Sequence, residues 1–407
     1  MSDFPTTVAV AGQGEPSGPS EPSGPGGSSG PGAGRAQDAP APRRRRVPAT
    51  ARLATALVAT AVALLAPLYL GTWLQTALLT MAAAVAALGL SLLVGQAGQL
   101  SLGHAFFVAV GAYGYAVLAA PKHASIGVTK QVGLALPPLL AAVLAVALAG
   151  LAGLLFTPVA ARLRGIYLGI ASFGLIFVGL HLLNNGGSVT GGSVGREVPV
   201  FTLPGVRFDT PTDETTYLLG RPLGGEQKLW YLGLAVLVGA YLCYRNLARS
   251  RPGRALRSVR DRELMAGIMG VPVTRYKAYA FLISSMYAGL GGVLLALAIG
   301  HVGPDDSLFG VDATVAYLVM VVIGGLASPA GAIIGAIFVR CLQAVLDRYA
   351  ESLPGLAPAG SPGITPAVAA AFAFGAAVII ILLVEPRGAT AIGQRMRHAV
   401  RGRLGRP

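Results

Sequence analysis

From residue 52 onward the chain is a succession of apolar runs, separated by short polar or Gly/Pro-rich breaks. Each run is close to the ~20 residues that an α-helix needs to cross ~30 Å of hydrocarbon. They fall near 52–71, 74–94, 103–120, 132–157, 165–184, 229–246, 278–299, 312–327, 330–347 and 366–384. The stretch 74–120 reads equally as one hairpin broken at Gly95–Ser101, and 312–347 as one long span or two. A water-soluble chain of 407 residues needs a charged shell, and only 12% of this one is charged against 54% hydrophobic, about half the usual share of charge. The expectation is an all-α polytopic membrane protein with about ten transmembrane helices.

Charge placement orients those helices. With the N-terminus inside, ten spans return the C-terminus inside too, together with Arg387, Arg395, Arg397, Arg401, Arg403 and Arg406; basic residues favour that side. On this topology 23 of the 31 Lys and Arg face the cytoplasm, and the external loop 185–228 is net acidic. The net charge of +14 is therefore expected to report topology rather than nucleic-acid binding. Both cysteines, Cys243 and Cys341, sit in apolar runs, which excludes a disulfide-stapled secreted fold or a Cys-based zinc site.

Three regions follow from composition. Residues 1–46 form a Gly/Pro/Ser-rich tail with almost nothing apolar to bury, expected to be disordered and cytoplasmic. Residues 50–390 are expected to form the transmembrane domain, with a cytoplasmic loop over 248–277, and 391–407 a basic cytoplasmic C-terminus. Arg43–Arg46 before an apolar run resemble the start of a signal peptide, but Leu53–Leu70 is long for one and no small-residue cleavage site follows. Outside the tail, glycine makes up about 13% of the chain against a usual ~7%. Membrane helices use small residues to approach closely and to break along a pathway, so broken, Gly-rich helices are expected at the core.

The stretch Gly95–His104 concentrates Gly95, Gln96, Gly98, Gln99, Ser101, Gly103 and His104 between two apolar runs. It reads either as a broken segment whose freed polar groups meet a polar solute, or as a tight helix–helix turn capped by Ser101. The wider sequence GLSLLVGQAGQLSLGHAFFVAVGAY (Gly89–Tyr113) resembles the signature of the inner-membrane permease subunit, M-type, of branched-chain amino-acid ABC importers. The resemblance continues through LRGIYLGIASFGLIF (Leu163–Phe177), NN…VTGG (Asn184–Gly192), RPGRALRSVRDRELMAGIMGVPVTRYK (Arg251–Lys277) and VVIGGLASPAGAIIGA (Val321–Ala336), in matching order over about residues 50–390. The Gly/Pro/Ser tail and the segments 205–228 and 353–366 lie outside the pattern.

Within 248–277, Ser250 is placed to N-cap a helix with Pro252 in its first turn, running to Met269 with Gly270 beyond its end. Charge alone fits a solvated basic loop. The pattern Glu263-x-x-Ala266-x-x-x-Gly270 is similar to the coupling loop of importer permeases. That resemblance implies that Ala266 and Gly270 permit close approach of an ATPase subunit, with Arg257, Arg260, Asp261 and Glu263 on the rim. No Gly-Lys pair exists in the chain, so no phosphate-binding P-loop does either. The chain is expected to be a transport subunit rather than an enzyme, with no cofactor or metal of its own and ATP on separate ATPase chains.

Ionisable residues within spans are default functional candidates; here they are His104, His181 and Arg340. The lack of a mid-span acid argues against a proton- or sodium-coupled carrier. Asn184, Asn185, Thr190, Gly191 and Gly192 close span five, where they either receive substrate from outside or simply cap the helix. The resemblance implies an importer in a bacterial plasma or inner membrane, built with a homologous second permease, two ATPases and an extracellular or periplasmic solute-binding protein. Gly324 and Gly325 join Gly95–His104 as the expected pathway for a branched-chain amino acid. The alternatives are the same architecture importing urea or short amides, or an ATP-independent channel for a small neutral solute.

Overall fold

The computed structural model describes residues 64–126, 129–163, 165–203, 206–208, 216–218, 221–304, 306–350 and 365–384. The tail over 1–46, the C-terminus over 391–407 and most of the first expected span lie outside them. Eleven helices of six or more residues organise the described chain from Leu74 onward: α1 (Leu74–Ala97), α2 (His104–Ala119), α3 (Pro138–Arg162), α4 (Ile166–Asn185), α5 (Gly225–Arg249), α6 (Arg251–Asp261), α7 (Glu263–Ile268), α8 (Val273–Ile299), α9 (Val311–Gly324), α10 (Pro329–Ala350) and α11 (Pro366–Val384). Seven helical stretches among the described residues are long and apolar enough to cross a membrane; α2 and α11 are shorter apolar helices. The strands are two- to four-residue antiparallel ladders between helices.

α1 is the centre of the bundle, and every residue from Ala82 to Leu88 is at most 3% exposed. Glycine sets how closely its neighbours approach. A Cβ on Gly292 of α8 would overlap the carbonyl oxygen of Val108 in α2, and one on Gly111 of α2 would overlap Gly289 of α8. Dispersion between close backbones is what holds helices together where lipid offers no hydrophobic gain. The outer faces of α3 and α4 leave Leu139, Val143, Leu155, Ile166 and Ile170 exposed, the apolar surface a lipid-facing helix requires.

Two departures from the sequence reading, and one choice it left open, have local causes. α3 starts six residues later than expected, because residues 129–132 pair with 123–126 in a hairpin and Pro138 stands in the first turn, where a missing N–H is harmless. The stretch 312–347 is two helices, α9 and α10, parted by a turn with Gly325 at φ 99° and Ala327 at φ 65°. The expected single helix from Ser250 to Met269 is likewise two. Ser250 caps α6 by accepting from the Gly253 N–H at 3.3 Å, but Arg262 at φ −152°, ψ 89° ends it before α7 begins.

The break between α1 and α2 is not a simple turn. α1 ends on Gly98 at φ 68°, yet His104, the first residue of α2, bonds through Nε2 to the Ala86 oxygen at 2.8 Å. Ala86 lies eleven residues before Ala97 on α1, about 16 Å along the axis at 1.5 Å per residue. Residues 98–103 therefore climb back beside α1, a distance within the reach of six residues at ~3.3 Å each. They run along α4: Leu102 N–H donates to Ser172 Oγ at 2.8 Å, and a Cβ on Gly103 would overlap the Ser172 carbonyl. α2 thus begins midway along α1, inside the bundle.

Candidate translocation and coupling site

The two broken hairpins meet each other and the α6–α7 segment at one end of the bundle. Gly95, near the end of α1, lies against Ala327 of the α9–α10 turn so closely that a Cβ there would overlap the Ala327 backbone. Gln96 Nε2 donates to the Ala327 oxygen at 3.3 Å and to Tyr244 Oη of α5 at 3.5 Å. From below, Arg260 of α6 donates through Nη1 to the Gly95 oxygen at 2.6 Å, and its side chain covers Gly98. That guanidinium meets a carbonyl at the C-terminal end of a helix, where a cation is favoured. Gly324 sits in the same turn, pressed against the Gly331 carbonyl.

Next to this junction Lys277 of α8 is buried, its side chain 6% exposed, and pairs with Glu263 Oε1 at 2.8 Å. The pair fastens α7 to α8. A recess of about 100 Å³ lies here, lined by Gly98 and Gln99 of the broken segment, Gly165 at the start of α4, and Arg260, Glu263 and Lys277. Gln96, Gln99, Ser101 and His104 are buried, none more than 6% exposed. The His104 ring stands edge-on to Tyr317 of α9 at 5.8 Å.

The residues expected to couple to an ATPase divide by direction. Arg257 turns back onto the Ala248 and Gly253 carbonyls at 3.1 and 3.4 Å, and Ala266 packs inward at 5% exposure. Asp261 is exposed and bonded to Arg260 at 2.8 Å. Gly270, at φ 81°, closes α7. What faces outward is apolar: Leu264, Met265, Ile268 and Met269 are 54 to 83% exposed. Sequence reasoning missed this patch. Its signal was present in E-L-M-A-G-I-M, where six of the seven residues after Arg262 are apolar or glycine in an otherwise cationic loop.

The third expected group lies at the far end of α4, about 30 Å of helix away from α6 and α7. Asn184 and Asn185 donate to carbonyls one turn back in α4, both at 2.9 Å, and Thr190 Oγ1 to the Leu183 oxygen at 2.7 Å. Gly191 takes φ 82° and Gly192 φ 58°. These residues close the helix and turn the chain. A residue the sequence concealed dominates this end: Arg196 is fully buried. It donates to the carbonyls of Val189 and Val132, while Gln131 Nε2 donates to Gly195 at 2.9 Å. Burial holds the Arg196 guanidinium below the usual arginine pKa, and carbonyl oxygens in place of water stabilise its charge.

The family described as "Branched-chain amino acid transport system / permease component" matches residues 72–383. The high-affinity branched-chain amino acid transport system permease protein LivM of Salmonella typhimurium is 32% identical over 284 residues, 68% of this chain and 64% of that protein. LivM of Escherichia coli K12 matches to the same extent. The chain thus spans less than two thirds of the length of these curated relatives. LivH of E. coli K12, another permease protein of that transport system, is 32% identical over 100 residues, 25% of this chain and 32% of its own. No solved structure matches. With its bundle of apolar helices and two glycine-broken hairpins, the chain belongs to the branched-chain amino acid transport permease family.

Proposed function

We propose that the chain is a permease subunit of an ATP-driven ABC importer that carries branched-chain, hydrophobic amino acids into the cytoplasm by alternating access. Its partners in this reading are a homologous second permease, two ATPases and a solute-binding protein outside a bacterial plasma or inner membrane. The end bearing α6 and α7 is then cytoplasmic, as are both termini, in keeping with nine basic residues over 245–277.

One observation carries the reading. An exposed apolar patch on α7 is joined through Arg260 and Gly95, and then through Gln96 and Ala327, to both breaks in the bundle. A large apolar patch exposed to water marks a partner surface. ATPase closure against Leu264, Met265, Ile268 and Met269 would move α6–α7 and, through Arg260, both hairpin turns together. The substrate class rests on the relatives' names. A stand-alone channel for a neutral solute has no use for this linkage.

The test is to replace the surface without touching the membrane core. Ile268→Asp, Glu263→Lys and Gly270→Trp should each abolish ATP-dependent uptake and co-purification of an ATPase, with the chain still inserted. Normal uptake by all three would refute the coupling assignment. Uptake of labelled L-leucine against labelled urea by the wild-type assembly decides the solute; import of urea alone would replace the amino-acid reading with its short-amide alternative.

A further inference from the structure

One side of α5 runs from oil to charge. Val238, Leu242, Arg245 and Arg249 are all exposed and, at 3.6 residues per turn, fall within about 60° of one another around the helix. Val238 and Leu242 belong to the apolar surface of a helix long enough to cross the membrane. Arg245 lies about 5 Å and Arg249 about 10 Å further along the axis. That carries them across the headgroup layer, roughly 5–8 Å deep on each side of the hydrocarbon.

α6 follows at once and adds two more. Arg251 and Arg254, in its first turn, are exposed on the side opposite the buried Gly253, Leu256 and Val259. Arg254 Nη1 donates to the Arg249 carbonyl at 3.1 Å, so the α6 pair stands against the last turn of α5. Residues three or four apart on a helix are neighbours, ~5–6 Å at Cβ, which links Arg245 to Arg249 and Arg251 to Arg254. The four arginines thus form one cluster around the α5–α6 corner.

No acid among the described residues offsets them. Asp261 pairs with Arg260, and Glu263 with Lys277. The helix dipole favours Arg245 and Arg249 at the C-terminal end of α5 but opposes Arg251 and Arg254, in a first turn that holds no acid. Like charges at these spacings also repel. Such a cluster calls for an anion from outside the chain, and where the hydrocarbon ends the phosphodiesters of lipid headgroups supply one.

We infer that the α5–α6 corner binds an anionic phospholipid of the adjoining leaflet. Its acyl chains lie along Val238 and Leu242, and Arg245, Arg249, Arg251 and Arg254 hold its phosphodiester. Guanidinium forks match phosphate oxygens two at a time, and basic pockets beside membrane helices take such headgroups. The inference rests on α5 spanning the bilayer, not on what the chain transports.

The chain has two tryptophans, so Trp73→Phe and Trp230→Phe with Leu242→Trp leaves one reporter, a turn from Arg245 on the same stripe. This full-length parent is reconstituted in vesicles of phosphatidylcholine and phosphatidylglycerol in which one lipid or the other carries brominated chains. Quenching gives the relative affinity of the two lipids at that position. At about fivefold per arginine near a headgroup, phosphatidylglycerol should be favoured at least about fivefold. Arg245→Gln with Arg249→Gln and Arg254→Gln should bring that preference within twofold of unity. Arg262→Gln with Arg275→Gln, also exposed arginines, should leave it within twofold of the parent. Quenching by brominated phosphatidylcholine in pure phosphatidylcholine should be the same throughout, which checks insertion. No preference in the parent, an undiminished preference in the triple variant, or equal loss in both variants overturns the site. An ATPase that co-purifies with the co-expressed parent should also do so with the triple variant; its loss with lipid preference intact would assign the cluster to the ATPase instead.

Discussion

Lys277 and Glu263 form the contact whose loss is most sharply asymmetric. The Lys277 side chain is 6% exposed and that of Glu263 26%, with Nζ and Oε1 2.8 Å apart. Removing one partner of a fully buried pair costs about 3–5 kcal/mol, and of an exposed pair about 0–1 kcal/mol. Glu263→Gln leaves the more buried charge, the ammonium, without its counter-ion, and with Glu263 about a quarter exposed the penalty falls near ~2 kcal/mol. Lys277→Met leaves the better-solvated carboxylate and costs less than about 1 kcal/mol. Because the pair ties α7 to α8, the loss should appear locally, as about thirtyfold faster hydrogen exchange over 264–269 in Glu263→Gln. Exchange in α1 should not change. Glu263→Gln with Lys277→Met should recover most of the protection, since no buried charge is then left without a counter-ion. Exchange mass spectrometry on the chain in lipid nanodiscs measures all three. Equal exchange in wild type and Glu263→Gln, or a double variant no better than the single, would refute the argument.

Gly292→Val forces a side chain into the Val108 carbonyl and should lower stability by about 1–3 kcal/mol, read as a fall in Tm by scanning fluorimetry; an unchanged Tm would mean that α2 and α8 are not so close. Arg260→Ala removes the bond to the Gly95 oxygen and should cut uptake at least about tenfold, taking a charge-assisted hydrogen bond at ~1.5–3 kcal/mol. ATP hydrolysis by the assembly should persist, and parallel loss of both activities would argue against a transmitting role. Arg196→Met keeps the volume but strands the Val132 and Val189 carbonyls, at about 1–3 kcal/mol. Limited proteolysis should then cut faster within 186–200, and an unaltered digestion pattern would contradict a role for Arg196 in holding this segment.

Long apolar runs made the helices legible in the sequence, because a bilayer leaves a twenty-residue apolar segment few alternatives. The depth at which α2 begins was not. Hydropathy reports where a helix stops but not that residues 98–103 turn back up beside α1 under the close approach of Gly103 to Ser172. Arg262 and Glu263 are ordinary helix formers, so nothing local announced the break between α6 and α7, where Glu263 meets a lysine fourteen positions further on. Arg196, flanked by Gly195 and Glu197, reads as surface loop charge; its burial follows from carbonyls at 132 and 189 that only the folded chain brings to it. Of the site, glycines and glutamines of the broken segment were visible in advance, and the outward apolar face of α7 was not.

That face also bears on the life of the chain before assembly. Ile268 and Met269 are 79% and 83% exposed at the end of a six-residue helix that the Glu263–Lys277 ion pair and the inward Ala266 hold against the bundle. A newly inserted copy displays the sort of oily, loosely fastened segment that chaperones and membrane proteases recognise in unfinished proteins. On the importer reading, subunit dosage would then be self-correcting: copies that find an ATPase would hide the segment, and surplus copies would be removed.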